Sequence, residues 1–336
     1  MKNSDTITMA HGAGGKQTSA LISGIFQKYF ENPYFTADDA SVLPAPNGKI
    51  AMTTDGFIVS PQFFPGGNIG KLSICGTVND LSCMGARPLY MTCAFVIEEG
   101  FPVADLDKIA SAMAKTADEA GVHLVAGDTK VAGKGQCGGV FITTTGVGEL
   151  LPDVHTSGAL AEPFDDIIVT GDIGRHGCTI LLARDDYGID ADVTSDCAPL
   201  WKPVEAALKA VPGLHVIRDA TRGGVGTVLY EIAAESNVGI HLSAEAIPVD
   251  PAVRGVTSML GLEPLYLACE GRLVMFCPHE HTSDLLGVLK GQVYTSGAAV
   301  IGHVTEENKG LVIMTTEIGA QTILPEPGNE LLPRIC

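Results

Sequence analysis

Hydrophobic positions recur along this chain with two periods that take turns. Alternating or continuous apolar residues over 49–59, 89–97, 122–126 and 139–147 predict strands. Between them Leu72, Cys75, Val78 and Leu81 repeat every third residue and predict a helix over 69–84. Val103, Leu106, Ile109, Ala110, Met113 and Ala117 line one face of a second helix over 103–120. The pattern breaks into a polar, proline-containing stretch over 149–163, then alternates again from Ile167 to about Ile323. Both halves carry a strand followed by Gly-Asp, at 126–128 and 170–172, a hint of related halves. The expected class mixes α and β with short connections, with domains over 1–155 and 156–323 and a tail over 324–336.

Composition narrows the function. Hydrophobic residues make up 46% and charged residues 18%, the profile of packed globular domains. A net charge of −18 argues against nucleic acid, which needs basic surfaces, but not against a nucleotide whose phosphates are bridged to carboxylates by Mg2+. No apolar run is long enough to span a membrane, and the amino terminus lacks the apolar core of a signal peptide, so a cytoplasmic location is expected. Nine cysteines, with no Cys-x-x-Cys pair, read as reduced thiols; Cys93, inside an apolar run, reads as a small buried hydrophobe. His279-Glu280-His281 lacks the spacing of a zinc helix and reads as a solvated loop.

Two glycine-rich segments imitate nucleotide motifs. Gly12 to Thr18 lacks the spacing and the hydroxyl residue of a P-loop. Gly133 to Gly138 matches a dinucleotide fingerprint by letter, but a strand follows it where a helix is required. The acidic positions say more. Asp38-Asp39, Asp55 and Asp128 fall beside strands, and Asn79-Asp80 interrupts an apolar helical pattern. Each aspartate alone reads more readily as an ordinary turn residue. Together they read as a set converging on a Mg2+-triphosphate, since hard cations take oxygen ligands. Asp219-Ala220-Thr221-Arg222-Gly223-Gly224 opens a helix, where backbone N–H groups and Arg222 suit an anion or simply cap the helix. Glu270, just before the strand RLVMFC, is a candidate general base if it faces a cleft.

The chain ends Pro333-Arg334-Ile335-Cys336. The tail, LPEPGNELLPRIC, has three prolines and no sustained period, and about twelve extended residues span roughly 40 Å. A thiol there is either an incidental terminus or a carrier that visits a site.

The order HGAGGKQT, DDA, TTDG, GTVNDLSCMGARP, AGDTKV, TGDIGRHG, DATRGG and CEGRL resembles the ATP-dependent aminoimidazole ribonucleotide synthetase superfamily over essentially the whole chain. The terminal Pro-Arg-Ile-Cys is similar to the HypE family of hydrogenase maturation proteins within it. That resemblance implies two α+β domains, an amino-terminal sheet pairing with its twin in a homodimer, and a nucleotide in the interdomain and intersubunit cleft. It further implies that Cys336 accepts a carbamoyl group from a carbamoyltransferase, HypF, and that ATP drives dehydration of the S-carboxamide to an S-cyanate. Cyanide then passes to iron on the HypC–HypD complex. By the same resemblance Asp38 or Asp39, Asp55, Asp80 and Asp128 organise Mg2+ and phosphates, with Asn79 alongside and Lys16 over the phosphates. Glu270 would serve as base, and Arg334 would guide the tail. The remaining alternatives are a small-molecule synthetase or kinase of the same superfamily and a non-catalytic scaffold.

Overall fold

The computed structural model describes residues 6–36, 38, 40–211 and 213–326; Asp39, Arg334 and Cys336 lie outside the described residues. The first unit is built from β1 (Ile50–Phe57), α1 (Ile69–Cys83), β2 (Ala86–Glu98), α2 (Val103–Ala120), β3 (His123–Ala132) and β4 (Val140–Leu150). Its four strands lie in the order β1-β4-β2-β3, with only the β2–β3 pair parallel. A helical arm over 16–30 lies beside β2, Phe26 packing on Phe95 with ring centroids 4.8 Å apart.

The second unit holds β5 (Asp165–Val169), α3 (Arg175–Ala183), α4 (Trp201–Ala210), β6 (Val216–Asp219), α5 (Gly224–Glu235), β7 (Gly239–Ser243) and α6 (Pro251–Leu260). It continues with β8 (Leu273–Pro278), α7 (Thr282–Lys290), β9 (Ala299–Thr305), β10 (Val312–Thr315) and β11 (Gln321–Ile323). The sheet order is β11-β10-β7-β9-β5-β8-β6, antiparallel except where β7 meets β10. No helix among the described residues is long and apolar enough to cross a membrane.

Helix α2 has the range that its periodicity predicts and ends at Gly121, whose φ of 74° supplies the left-handed C-cap. Helix α1 does more than a one-faced stripe implies. Asn68 caps it, its side chain accepting from the N–H groups of Gly70 and Lys71. Every residue of α1 except Lys71 and Asp80 is buried, because one apolar core runs from the first sheet past α1 to Trp201 and Met275 of the second unit. Glycines allow that closeness: a methyl group at Gly70 would stand 2.4 Å from the Ile109 carbonyl of α2.

Strand β3 runs past Asp128 to Ala132, so Asp128 sits within the strand rather than ending it. The segment 133–139 is a turn that runs into strand β4, as its sequence context predicts, with the Gly139 N–H donating to Glu98 (3.0 Å). His279–His281 forms a short 3-10 turn. All eight cysteines in the described residues are free and seven are buried.

Candidate active site at the seam between the two units

A cavity of about 750 Å³ opens where the two units meet. The first unit contributes Asp55 from β1 and Gly76 and Asp80 from α1; the second contributes Asp219, Arg222 and Glu270. Four of the residues expected from sequence, Asp55, Asp80, Arg222 and Glu270, therefore share one cavity.

Local structure explains how each reaches it. On β1, Thr53, Asp55 and Phe57 face α1, while Ile50, Met52 and Thr54 face away. Gly76 keeps α1 close: a methyl there would meet the Phe57 ring at 2.8 Å, and Asp55 Oδ2 lies 3.8 Å from the same point. One turn later Asp80 accepts a hydrogen bond from Thr53 Oγ1 at 2.8 Å. Across the seam, Gly223 and Gly224 both adopt positive φ, and a methyl at Gly224 would strike the Leu265 carbonyl at 2.5 Å. Only glycine fits that turn, which starts α5 against the cavity and leaves Arg222 exposed at its rim.

The floor of the cavity gathers carboxylates that are buried or half-buried. Burial, reinforced by the charges of Asp219 and Asp55, pushes Asp80 up to about 7. Burial also raises Asp219, although the Arg218 guanidinium pulls the other way. Glu270, 7% exposed, is raised well above the usual carboxylate range, chiefly by burial and then by Cys197, Asp196, Asp219 and Asp55. These carboxylates repel one another and await a positive charge. Asp219 stands at the end of β6, like Asp55 near the end of β1, a strand-end position that its helix-opening motif does not reveal.

Asn79 does not face the cavity. It is buried, its amide donating to the Ala198 carbonyl (3.1 Å) and the Glu270 carbonyl (3.4 Å) while its oxygen accepts from the Leu200 N–H (2.8 Å). It braces the seam and the Glu270 backbone from behind.

Asp128 lies elsewhere. Strand register aligns Asp55 with Thr144 and Cys93, and Asp128 with Ala94, so the two carboxylates belong to opposite faces of the sheet. They also sit on opposite edge strands, about 14 Å apart at three strand spacings. Asp128 is exposed and pairs with Lys130 at 2.8 Å, which holds its carboxyl below the usual range. Beside it is a second cavity of about 150 Å³, lined by Thr18, Phe26, Phe30, Phe35 and Phe95. Lys16 belongs to the same edge, two residues before Thr18. The loop after Asp38 is tied to β3 by Ser41 Oγ donating to the Val125 carbonyl. Within one chain the expected acidic set thus divides into a seam station and an edge station.

Comparison with known proteins agrees with this architecture. Residues 37–150 match the family described as AIR synthase related protein, N-terminal domain, and residues 163–314 match the corresponding C-terminal domain. The chain is 44% identical over 332 residues to a protein named carbamoyl dehydratase HypE from Azotobacter vinelandii, covering 98% of this chain and 97% of that one. Among solved structures it is similar to hydrogenase maturation protein HypE in complex with ATP, with a TM-score of 0.94 and 44% identity, over 98% of this chain and 100% of that one. It is also similar to a chain of a HypE–HypF complex, with a TM-score of 0.81 and 43% identity, over 92% of this chain and 100% of that one. By sequence, fold and length, the chain belongs to the AIR synthase related family and, within it, to the HypE hydrogenase maturation proteins.

Proposed function

We propose that this protein is an ATP-dependent carbamoyl dehydratase that acts on a carbamoyl group carried by its own Cys336. The observation that carries the reading is the seam cavity, where Asp55, Asp80, Asp219 and Glu270 converge with Asp80 held near neutrality, in a chain so similar to an ATP-bound HypE. The units joined at the seam are taken as 1–155 and 156–323, with 324–336 as the carrier tail.

The donor chemistry of the seam fits a magnesium-bound triphosphate. Mg2+ takes one or two carboxylates and fills its remaining positions with phosphate oxygens and water. It needs no three-ligand protein cage, and none is formed among the described residues. Asp55 and Asp80 are its expected ligands, with Asp219 behind them; the bound cation would neutralise charge on the phosphates. Arg222, at the rim and without an ion pair among the described residues, is the proposed partner of a phosphate.

The chemistry then balances. The oxygen of the S-carboxamide attacks the γ-phosphorus of ATP and ADP leaves. An amide oxygen is a poor leaving group, but once phosphorylated it departs as phosphate. The nitrogen gives up one proton to a protein base and the other to the departing phosphate as the C≡N bond forms, leaving an S-cyanate on Cys336. Glu270 is the proposed acceptor of the first nitrogen proton: burial and then its acidic neighbours raise its proton affinity, and it would act as the base in its ionised form. Arg334 would steer the tail toward the anionic floor.

The carbamoyl group would come from HypF, a reading supported by the likeness to a chain of the HypE–HypF complex, and the cyanide would pass to iron on HypC–HypD in the cytoplasm. The edge station is assigned to the same nucleotide through a homodimer. The sheet face opposite α1 carries exposed Ile50, Met52 and Val96, which no element among the described residues covers, and is suited to a second copy. Lys16, Asp38, Asp39 and Asp128 of one copy would then complete the phosphate site of the other.

Intact-mass measurement tests the reading. The protein incubated with a carbamoyl donor system should gain one carbamoyl mass on the C-terminal peptide, then lose one water only when ATP is added. Cys336→Ser should abolish both changes. A Cys336→Ser variant that still turns over ATP into a phosphorylated small molecule would instead identify a synthetase or kinase.

A further inference from the structure

The chain leaves the second sheet at β11, whose Ile323 pairs with Ile313, and the next residues are held by groups that the sheet does not supply. Leu324 is 1% exposed, sits in the second unit's core, and its N–H donates to the Val312 carbonyl at 2.8 Å. Beyond it the sequence is Pro325-Glu326-Pro327. Proline has no N–H for a strand ladder, and it holds the residue before it extended. The carbonyls of Leu324 and Pro325 therefore need other donors. The Tyr230 hydroxyl donates to the Leu324 carbonyl, and the Tyr266 hydroxyl donates to the Pro325 carbonyl.

Both tyrosines pack against the core that holds Leu324. Tyr266 is pushed up to about 12 by burial, so its hydroxyl stays a donor at any physiological pH. Tyr230 lies on α5, the helix that supplies Thr227, Val228 and Glu231 to the wall of the seam cavity. At 1.5 Å per residue, Tyr230 stands about one turn along that helix from Thr227. Tyr266 packs on the first turn of α5: a methyl at Gly226 would meet its ring at 2.5 Å. One helix thus forms a wall of the cavity and carries the fixing point of the tail. Ten residues separate Glu326 from Cys336, a reach of roughly 33–36 Å when extended.

We propose that Tyr230 and Tyr266 are positioning residues for the reaction: they clamp the root of the tail beside the cavity and aim it, raising the effective concentration of the Cys336-borne group there. This rests on the dehydratase reading given above. Neither tyrosine is assigned to the nucleotide, metal or proton transfer. Their contribution belongs to delivery, where a fixed origin at Leu324 and Pro325 restricts the volume that the thiol searches.

The test uses the full chain, carbamoylated on Cys336, as wild type, Tyr230→Phe, Tyr266→Phe and the double variant. Water loss after mixing with Mg-ATP is followed in a single turnover by quenched intact mass, ATP affinity by titration, and hydrogen exchange at the Leu324 amide by mass spectrometry. The double variant should lose water roughly three- to ten-fold more slowly, with single variants intermediate, faster exchange at Leu324 and unchanged ATP affinity. A rate within two-fold of wild type despite faster exchange would overturn the proposal. Unchanged exchange would overturn it as well, since the clamp would then not hold the root. A parallel loss of ATP affinity would assign the tyrosines to cavity structure instead. If wild type itself loses no water with ATP, it is the dehydratase reading that fails, an outcome distinct from all of these.

Discussion

The seam station and the edge station use the same side chain for opposite electrostatic purposes. At the seam, Asp80 is enclosed among Asp55, Asp219 and Glu270 and held near neutrality. At the edge, Asp128 is exposed, paired with Lys130, and ionised more readily than usual. A buried anionic cluster stores repulsion that a cation can relieve, whereas a solvated ion pair stores little. On the dehydratase reading, the seam is therefore where a magnesium–nucleotide would gain most, and the edge would steer and complete the site. The largest expected effect follows from this contrast. Asp80→Asn should lower ATP-dependent water loss by about 10²-fold or more, the usual scale for removing a group that organises transition-state charge. Single-turnover mass measurement checks it, and a loss below ten-fold would place the cation elsewhere.

Asp128→Asn should have a smaller effect alone but an informative one in mixtures. If Asp80 of one copy and Asp128 of its partner serve one nucleotide, Asp80→Asn and Asp128→Asn chains complement each other. After subunit exchange of equal amounts, half of the dimers are mixed and each holds one intact site, so about a quarter of wild-type activity returns. If the two stations served separate sites, or one site within a chain, the mixture would show no more than the sum of its parents. Recovery of activity on mixing thus reads out whether the division between sheet faces is bridged by a second copy.

How far the sequence disclosed this arrangement depended on how many neighbours each element has. Helix α2 buries one stripe and shows a clean period, so its ends coincide with expectation. Helix α1 is buried almost all round, and its periodicity reported only one of the surfaces it meets. Asn79 and Asp80 are adjacent in sequence but about 100° apart around the helix. One therefore braces the Ala198–Leu200 backbone and the other faces the cavity, a distinction that no residue pattern reveals. Asp128 was legible as an acidic residue beside small neighbours. The sheet face it takes depends on register with Ala94, which is set by long-range pairing. Asp219 was visible in its motif, yet its part in the cluster arises only when the second unit closes on the first.

The smallest expected effect separates the stations by stability and requires no turnover. A carboxylate whose folded pKa is raised contributes stability that is complete below its unfolded value, near 4, and is lost as pH rises through the folded value. With Asp80 at about 7 in the folded chain, the metal-free protein should lose about 2 kcal/mol of unfolding free energy from this group between about pH 5.5 and about pH 8.5. Glu270 and Asp219 are raised as well and act in the same direction. Asp128 has the opposite sign: its lowered pKa contributes stability above the unfolded value that disappears only as pH falls through the folded one. Urea unfolding in the presence of a chelator should therefore show a midpoint that declines from pH 5.5 to 8.5 in wild type and in Asp128→Asn, and a visibly flatter profile in Asp80→Asn. Asp80→Asn should also be the more stable protein at the alkaline end, because it no longer holds that charge in the seam. Parallel profiles for Asp80→Asn and wild type would mean that Asp80 is already ionised in the empty cavity, and the contrast between a charge-storing seam and a solvated edge would not hold.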